Sequence, residues 1–206
     1  MNKAIATLGS LTKTFFRTSA LAVLLLAPGI AHASWQIDSA HSVVNFVSIK
    51  NGSVAESHRF DEVVGVMNEA GLVRIAIDLD SVDTMIGIRD ERLRELLFET
   101  GKYPVAELEA IVDSEALAAV SEGGIASMDL PVTINLHGIE KTVSVALVAA
   151  NEGGGRIRVM TSRPVLINAA DFSLVSGIAA LQKVAGLKSI ATAVPVTFQL
   201  VFEPSK

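Results

Sequence analysis

The chain has 206 residues, 17 Lys and Arg against 22 Asp and Glu, half of its residues hydrophobic, and no cysteine. Without thiols it can have no cysteine catalysis, cysteine-ligated metal or disulfide, so apolar burial must hold the fold. The acidic balance, with Lys and Arg scattered rather than clustered, disfavours phosphate backbones and argues against nucleic-acid binding.

Residues 1–33 read as an export signal. Lys3, Lys13 and Arg17 supply a positive start, and no acid precedes Asp38. The apolar run Ala20 to Ala27 falls well short of the roughly 20 residues that span a membrane. Pro28-Gly29 breaks it, and Ala31-His32-Ala33 offers a small-residue cleavage site before Ser34. The expectation is a periplasmic protein with no stable membrane insertion after cleavage. Its mature domain is 34–206, with 14 basic against 22 acidic residues, a net −8.

The mature chain is dominated by alternation with a period of two. SVVNFVSI runs into Asn51-Gly52, a type I′ hairpin signal, because both residues tolerate positive φ. SVAESHRF and EVVGVMN are further candidate strands, and His58 in the first of them lies among charged residues and reads as solvated. In LVRIAIDL, Val73, Ile75, Ile77 and Leu79 fall on one side. IRDERLRELLF, 88 to 98, breaks the period: Leu93, Leu96 and Leu97 sit at helical spacing while six charges cover the rest, which predicts a short amphipathic helix.

Beyond it, VAELEAIVD sets Ala106, Leu108, Ala110 and Val112 against Glu107, Glu109 and Asp113. DLPVTINL aligns Leu130, Val132, Ile134 and Leu136, and after the tight turn at His137-Gly138 the alternation resumes with Val143, Val145 and Leu147. RIRVMTS is another strand. SGIAALQKVAGL predicts a second helix, stopped by Gly186. AVPVTFQLVFE ends the pattern with Val194, Val196, Phe198, Leu200 and Phe202 on one face.

About eight strands with one apolar face each predict an all-β antiparallel fold around a single interior, either a closed barrel or a two-sheet sandwich. Chemistry is scarce. His41, His58 and His137 lie on separate elements without metal-ligand spacing, so no metal site is expected. No nucleophile motif is present, and the carboxylates fall mostly on outward faces, so no catalytic residue and no cofactor are expected. An interior of Ala, Val, Leu and Phe, with Ala106 and Ala110 small for filling it, either packs solid or holds an apolar ligand. At about 25 cal/mol per Å², burying an alkyl or prenyl chain is worth several kcal/mol without any directional contact.

Ordered along the chain are Trp35, Asp38, His41 and Ser42 followed by Phe46; SVDT at 81 to 84; IRDERL at 88 to 93; Phe98 and Lys102-Tyr103-Pro104; LHGIEKTV at 136 to 143; and ADF at 170 to 172. In this order the set resembles the YceI-like family of exported bacterial proteins, over essentially the whole mature chain. The resemblance implies an extended, lipocalin-like barrel of eight antiparallel strands with one or two short helices. It further implies an elongated apolar tunnel for a long-chain amphiphile such as a polyisoprenoid or isoprenoid quinone. Dimers occur in the family, so a homodimer is a candidate state. Three departures bear on the head-group environment: where the family has RDxHL this chain reads RDERL with Glu91, Leu97-Phe98 replaces a DFF stretch, and Ser173 replaces a glycine.

The expected ligand-binding residues are Phe46, Ile75, Ile77, Leu108, Val132, Ile134, Phe198 and Leu200 for the tail. Leu93, Leu97 and Phe98 would line or gate the tunnel, and Arg89, His41 or His137 would meet the head group by hydrogen bonding. Open beside this stand a periplasmic stress or structural protein with a filled core, an enzyme acting on a bound lipid, and a partner-binding module with an exposed apolar patch.

Overall fold

A computed structural model describes residues 35–205. The expected export signal at 1–33 lies outside the described residues. Twelve strand segments form one sheet. In chain order they are β1 (Trp35–Ile37), β2 (Val43–Lys50), β3 (Val54–Phe60), β4 (Val63–Met67), β5 (Leu72–Asp78), β6 (Val82–Asp83), β7 (Val105–Ile111), β8 (Ile125–Leu136), β9 (Ile139–Gly153), β10 (Arg156–Thr161), β11 (Val165–Asn168) and β12 (Ala193–Pro204).

The sheet closes on itself. From β1 the order runs through β4, β5, β7, β8, β9 and β10 to β12, and β12 pairs back to β1, Ile37 opposite Phe202. The remaining segments extend the same staves. β1 bends into β2 at Asp38–Ser42, β3 into β4 at Asp61, and β5 into β6 through a 3₁₀ turn at Leu79–Ser81. β11 resumes alongside β12 where β10 leaves off. The result is a closed antiparallel barrel of eight staves, which removes exposed sheet edges and decides for the barrel over the sandwich.

The bend between β1 and β2 explains the motif at Trp35, Asp38, His41 and Ser42. Asp38 accepts from the Ala40 N–H (3.2 Å), from His41 Nδ1 (2.7 Å) and from Arg156 Nη2 (2.7 Å). Ser42 Oγ donates to Asp38 O and accepts from the Val201 N–H, and Trp35 Nε1 donates to Gly155 O. These bonds tie one broken stave to β10 and β12, so the motif is architectural.

The turns follow the residues. Asn51 and Gly52 both have positive φ, as do His137 and Gly138, the primed geometry whose twist matches two paired strands. The charged segment at 88–98 is helical: α1 (Gly87–Arg92) runs into a π turn at Leu93–Phe98, and Glu99 closes it in the left-handed region. Since a π turn bonds i to i+5, Leu93, Leu97 and Phe98 share its inner side. α3 (Val175–Val184) packs on this turn across Gly177, where a Cβ would lie 2.5 Å from Leu96 O and 2.9 Å from Leu97 Cα.

One helix is absent from the reading by periodicity: α2 (Ser114–Ser121). Its start was legible, since Asp113 caps it by accepting from the Glu115 and Ala116 N–H groups and an alanine-rich run follows. α2 lies against β8 and β9 at the end of the barrel away from the π turn, held by Asn151 Nδ2 donating to Val120 O. Among the described residues no helix is long and apolar enough to cross a membrane.

Candidate functional site: an apolar tunnel

Because inward positions alternate on every stave, their side chains meet in one interior. Tryptophan and tyrosine are nearly absent from the chain, so valine, alanine and leucine face one another across it and leave a cavity of about 260 Å³. This is slightly less than the roughly 300 Å³ at the lower end of small-molecule pockets. The cavity is drawn out. It touches Leu117 and Val120 of α2 at one end, and Leu174 and Ile178 beside the π turn at the other. A volume this small spread over the length of a barrel is a narrow tube, suited to a flexible chain rather than a compact ring system. Its wall is apolar throughout; Glu109 borders it, but the Glu109 carboxylate accepts from Arg74 Nε on the outer face.

Phe46, Ile75, Ile77 and Leu108 line the tunnel. So do Val132 and Ile134 of β8, Phe198 and Leu200 of β12, and Leu97 and Phe98 from the π turn. Leu93 is buried behind the wall in the core rather than on it.

The three polar residues expected near a head group do not gather. His41 sits on the outer bend with its side chain 62% exposed and bonded to Asp38. His137 packs at a tilt against Tyr103, ring centroids 4.3 Å apart, with Nε2 3.8 Å from Glu99, away from the tunnel wall. Arg89 alone reaches the inner face of β3, where it meets Glu56.

The solvated reading of His58 is wrong: it is 5% exposed. Register explains this, for β2 and β3 pair Phe46 with His58 and Ser48 with Glu56, so these side chains share the inward face. α1 then covers them, its Arg89 guanidinium donating to Glu56 Oε2 and to Thr84 O while its buried Asp90 accepts from the Thr84 N–H (2.9 Å) and hydroxyl. A histidine between charged neighbours gives no local sign of being roofed by a helix thirty residues away.

Burial, with Arg89 beside it, holds His58 below its ordinary value of 6.5. The hydrogen bond from Lys50, with Arg89 nearby, holds Glu56 below 4.5, and Arg156 with His41 holds Asp38 below 3.8. With the folded pKa of His58 depressed, the unfolded chain takes up that proton first on acidification. Stability is therefore expected to fall as pH drops below about 6.5, and again below about 4.5 as the carboxylates are protonated. Urea midpoints measured against pH check this: His58→Gln should flatten the first step and leave the second.

A family model described as a YceI-like domain matches residues 35–202. The chain is similar to a solved polyisoprenoid binding domain from Saccharophagus degradans implicated in plant cell wall breakdown: 39% identity, 84% of this chain and 100% of that chain covered, TM-score 0.81. BcnA of Burkholderia cenocepacia has the same fold at 19% identity, with 80% of this chain and 98% of that chain covered and a TM-score of 0.60. No curated protein matches.

Proposed function

Since the chain belongs to the YceI-like family, we propose that it binds a long-chain isoprenoid lipid non-catalytically, the tail lying in the tunnel. The observation that carries this reading is the elongated apolar cavity of about 260 Å³. An empty apolar tube of this length forgoes the dispersion contacts and burial that a filled core would make, and a polyprenyl chain restores both at roughly 0.8 kcal/mol per methylene. The polyisoprenoid-binding relative at 39% identity supports the same ligand class. With residues 1–33 acting as an export signal, binding takes place in the periplasm.

The wall carries no acid, base or nucleophile directed inward, which supports carriage, storage or sensing over chemistry on the lipid. Native mass spectrometry after gentle purification tests the reading. A co-purifying polyprenyl species, or uptake of one by the delipidated protein, is expected. Neither co-purification nor uptake would remove it.

A further inference from the structure

On the inward face of the β2–β3 hairpin the residue pairs change character toward the turn: Val44 with Phe60, Phe46 with His58, Ser48 with Glu56, Lys50 with Val54. Phe46 and Phe60 line the tunnel, and the Phe46 and His58 rings are 5.2 Å apart. The polar layer therefore begins one residue pair beyond the apolar wall. It is built around a single oxygen, Glu56 Oε2, which lies 2.6 Å from Lys50 Nζ, 2.5 Å from Arg89 Nη1 and 4.0 Å from His58 Nε2. Glu56, Arg89 and Lys50 keep 35%, 26% and 19% of their side chains exposed, so the layer reaches water. Two polar atoms in it, His58 Nδ1 and Arg89 Nε, are buried and have no partner among the described residues. Buried polar groups are nearly always paired, and an orphan calls for a reason.

Resting on the lipid-binding reading, we propose that this layer is the head-group site, and that it selects an uncharged oxygen head, a carbonyl or a hydroxyl, over a phosphate. Arg89 Nε can only donate. His58 Nε2 lies 2.9 Å from Ser48 Oγ; where that hydroxyl donates to Nε2, the ring proton sits on Nδ1 and makes a second donor. A carbonyl or hydroxyl oxygen accepts from both, while the tail passes Phe46 and Phe60 into the tunnel.

The charge count disfavours a phosphate. Lys50 and Arg89 are matched by Glu56 and Asp90, and Glu56 already occupies the point between the two cations. A phosphate would have to displace that carboxylate or sit beside it, and like charges at such separations repel strongly where water is partly excluded.

Binding of four probes of equal tail length to the delipidated full chain tests this: a polyprenyl alcohol, a polyprenyl quinone, a polyprenyl phosphate and the hydrocarbon without a head. At least one oxygen-headed probe is expected to bind about tenfold or more tightly than the hydrocarbon and the phosphate. The alcohol and quinone arms show which oxygen is preferred. Glu56→Gln, which keeps the volume and leaves one positive charge in excess, should narrow or reverse the gap to the phosphate. His58→Phe should cost the oxygen-headed probe about tenfold and leave the hydrocarbon unchanged. Phosphate binding as tight as alcohol or quinone, or equal binding of all four, would overturn the proposal while leaving tail binding intact. No binding of any probe would instead sink the lipid-binding reading itself.

Discussion

Ala110→Trp is expected to abolish lipid binding while the barrel still folds. Ala110 lies on β7 between Val73 of β5 and Val132 of β8, all three facing the tunnel. An indole there projects into the cavity instead of into packed neighbours, so the overpacking cost stays at or below the usual range of about 1–3 kcal/mol. Displacing about four methylenes of a bound chain at roughly 0.8 kcal/mol each costs about 3 kcal/mol, a factor of roughly 200 in affinity. The next residue supplies the control. Ile111 is 67% exposed on the opposite face, and Ile111→Trp should bind lipid as the unaltered protein does. Retained uptake by Ala110→Trp, measured by native mass spectrometry beside its thermal midpoint, would place the ligand somewhere other than the tunnel.

Phe172→Ala is expected to have the opposite profile, a large loss of stability with the tunnel wall left in place. Phe172 is 1% exposed and belongs to the core cluster of Val145, Leu147, Leu174 and Ile178, yet it does not line the cavity. Its position is set by the 3₁₀ turn Ala169–Phe172, capped by Asn168 accepting from the Ala170 N–H. Truncating a buried phenylalanine costs about 3–5 kcal/mol, a large share of the roughly 5–15 kcal/mol that holds a typical domain folded. The urea midpoint should fall accordingly, while protein still folded at low denaturant should take up lipid. A loss of unfolding free energy below about 1 kcal/mol would mean that the ADF turn is not the anchor its burial indicates.

The two substitutions separate what local pattern shows from what packing adds. Ala110 and its neighbours on β7 could be assigned inward from alternation alone, because side chains on a strand point to opposite faces whatever the partner strand is. The same rule put Ile75, Ile77, Leu108, Val132, Ile134, Phe198 and Leu200 on one interior, and the structure lines the tunnel with all seven, together with Phe46. Asn51-Gly52 and His137-Gly138 announced their turns through a backbone need that few residue pairs meet. The missed helix α2 was a different failure: its signals are a cap and composition rather than a period.

His58, Lys50, Glu56 and Arg89 show where reading along the chain stops. His58 read as solvated because its sequence neighbours are charged, Lys50 and Glu56 carried no signal of their own, and Arg89, expected to meet a head group, reaches Glu56 on a strand 33 residues away. Most strand and turn identities, the apolar part of the inward set and the apolar character of the interior were determined by the sequence alone, since each depends on residues within a few positions. Three things needed tertiary structure: closure of twelve segments into eight staves, the free length of the tunnel, and the gathering of a polar layer at its end. Each depends on which distant staves pair and which helix roofs them, and those are outcomes of global packing that a local period does not encode.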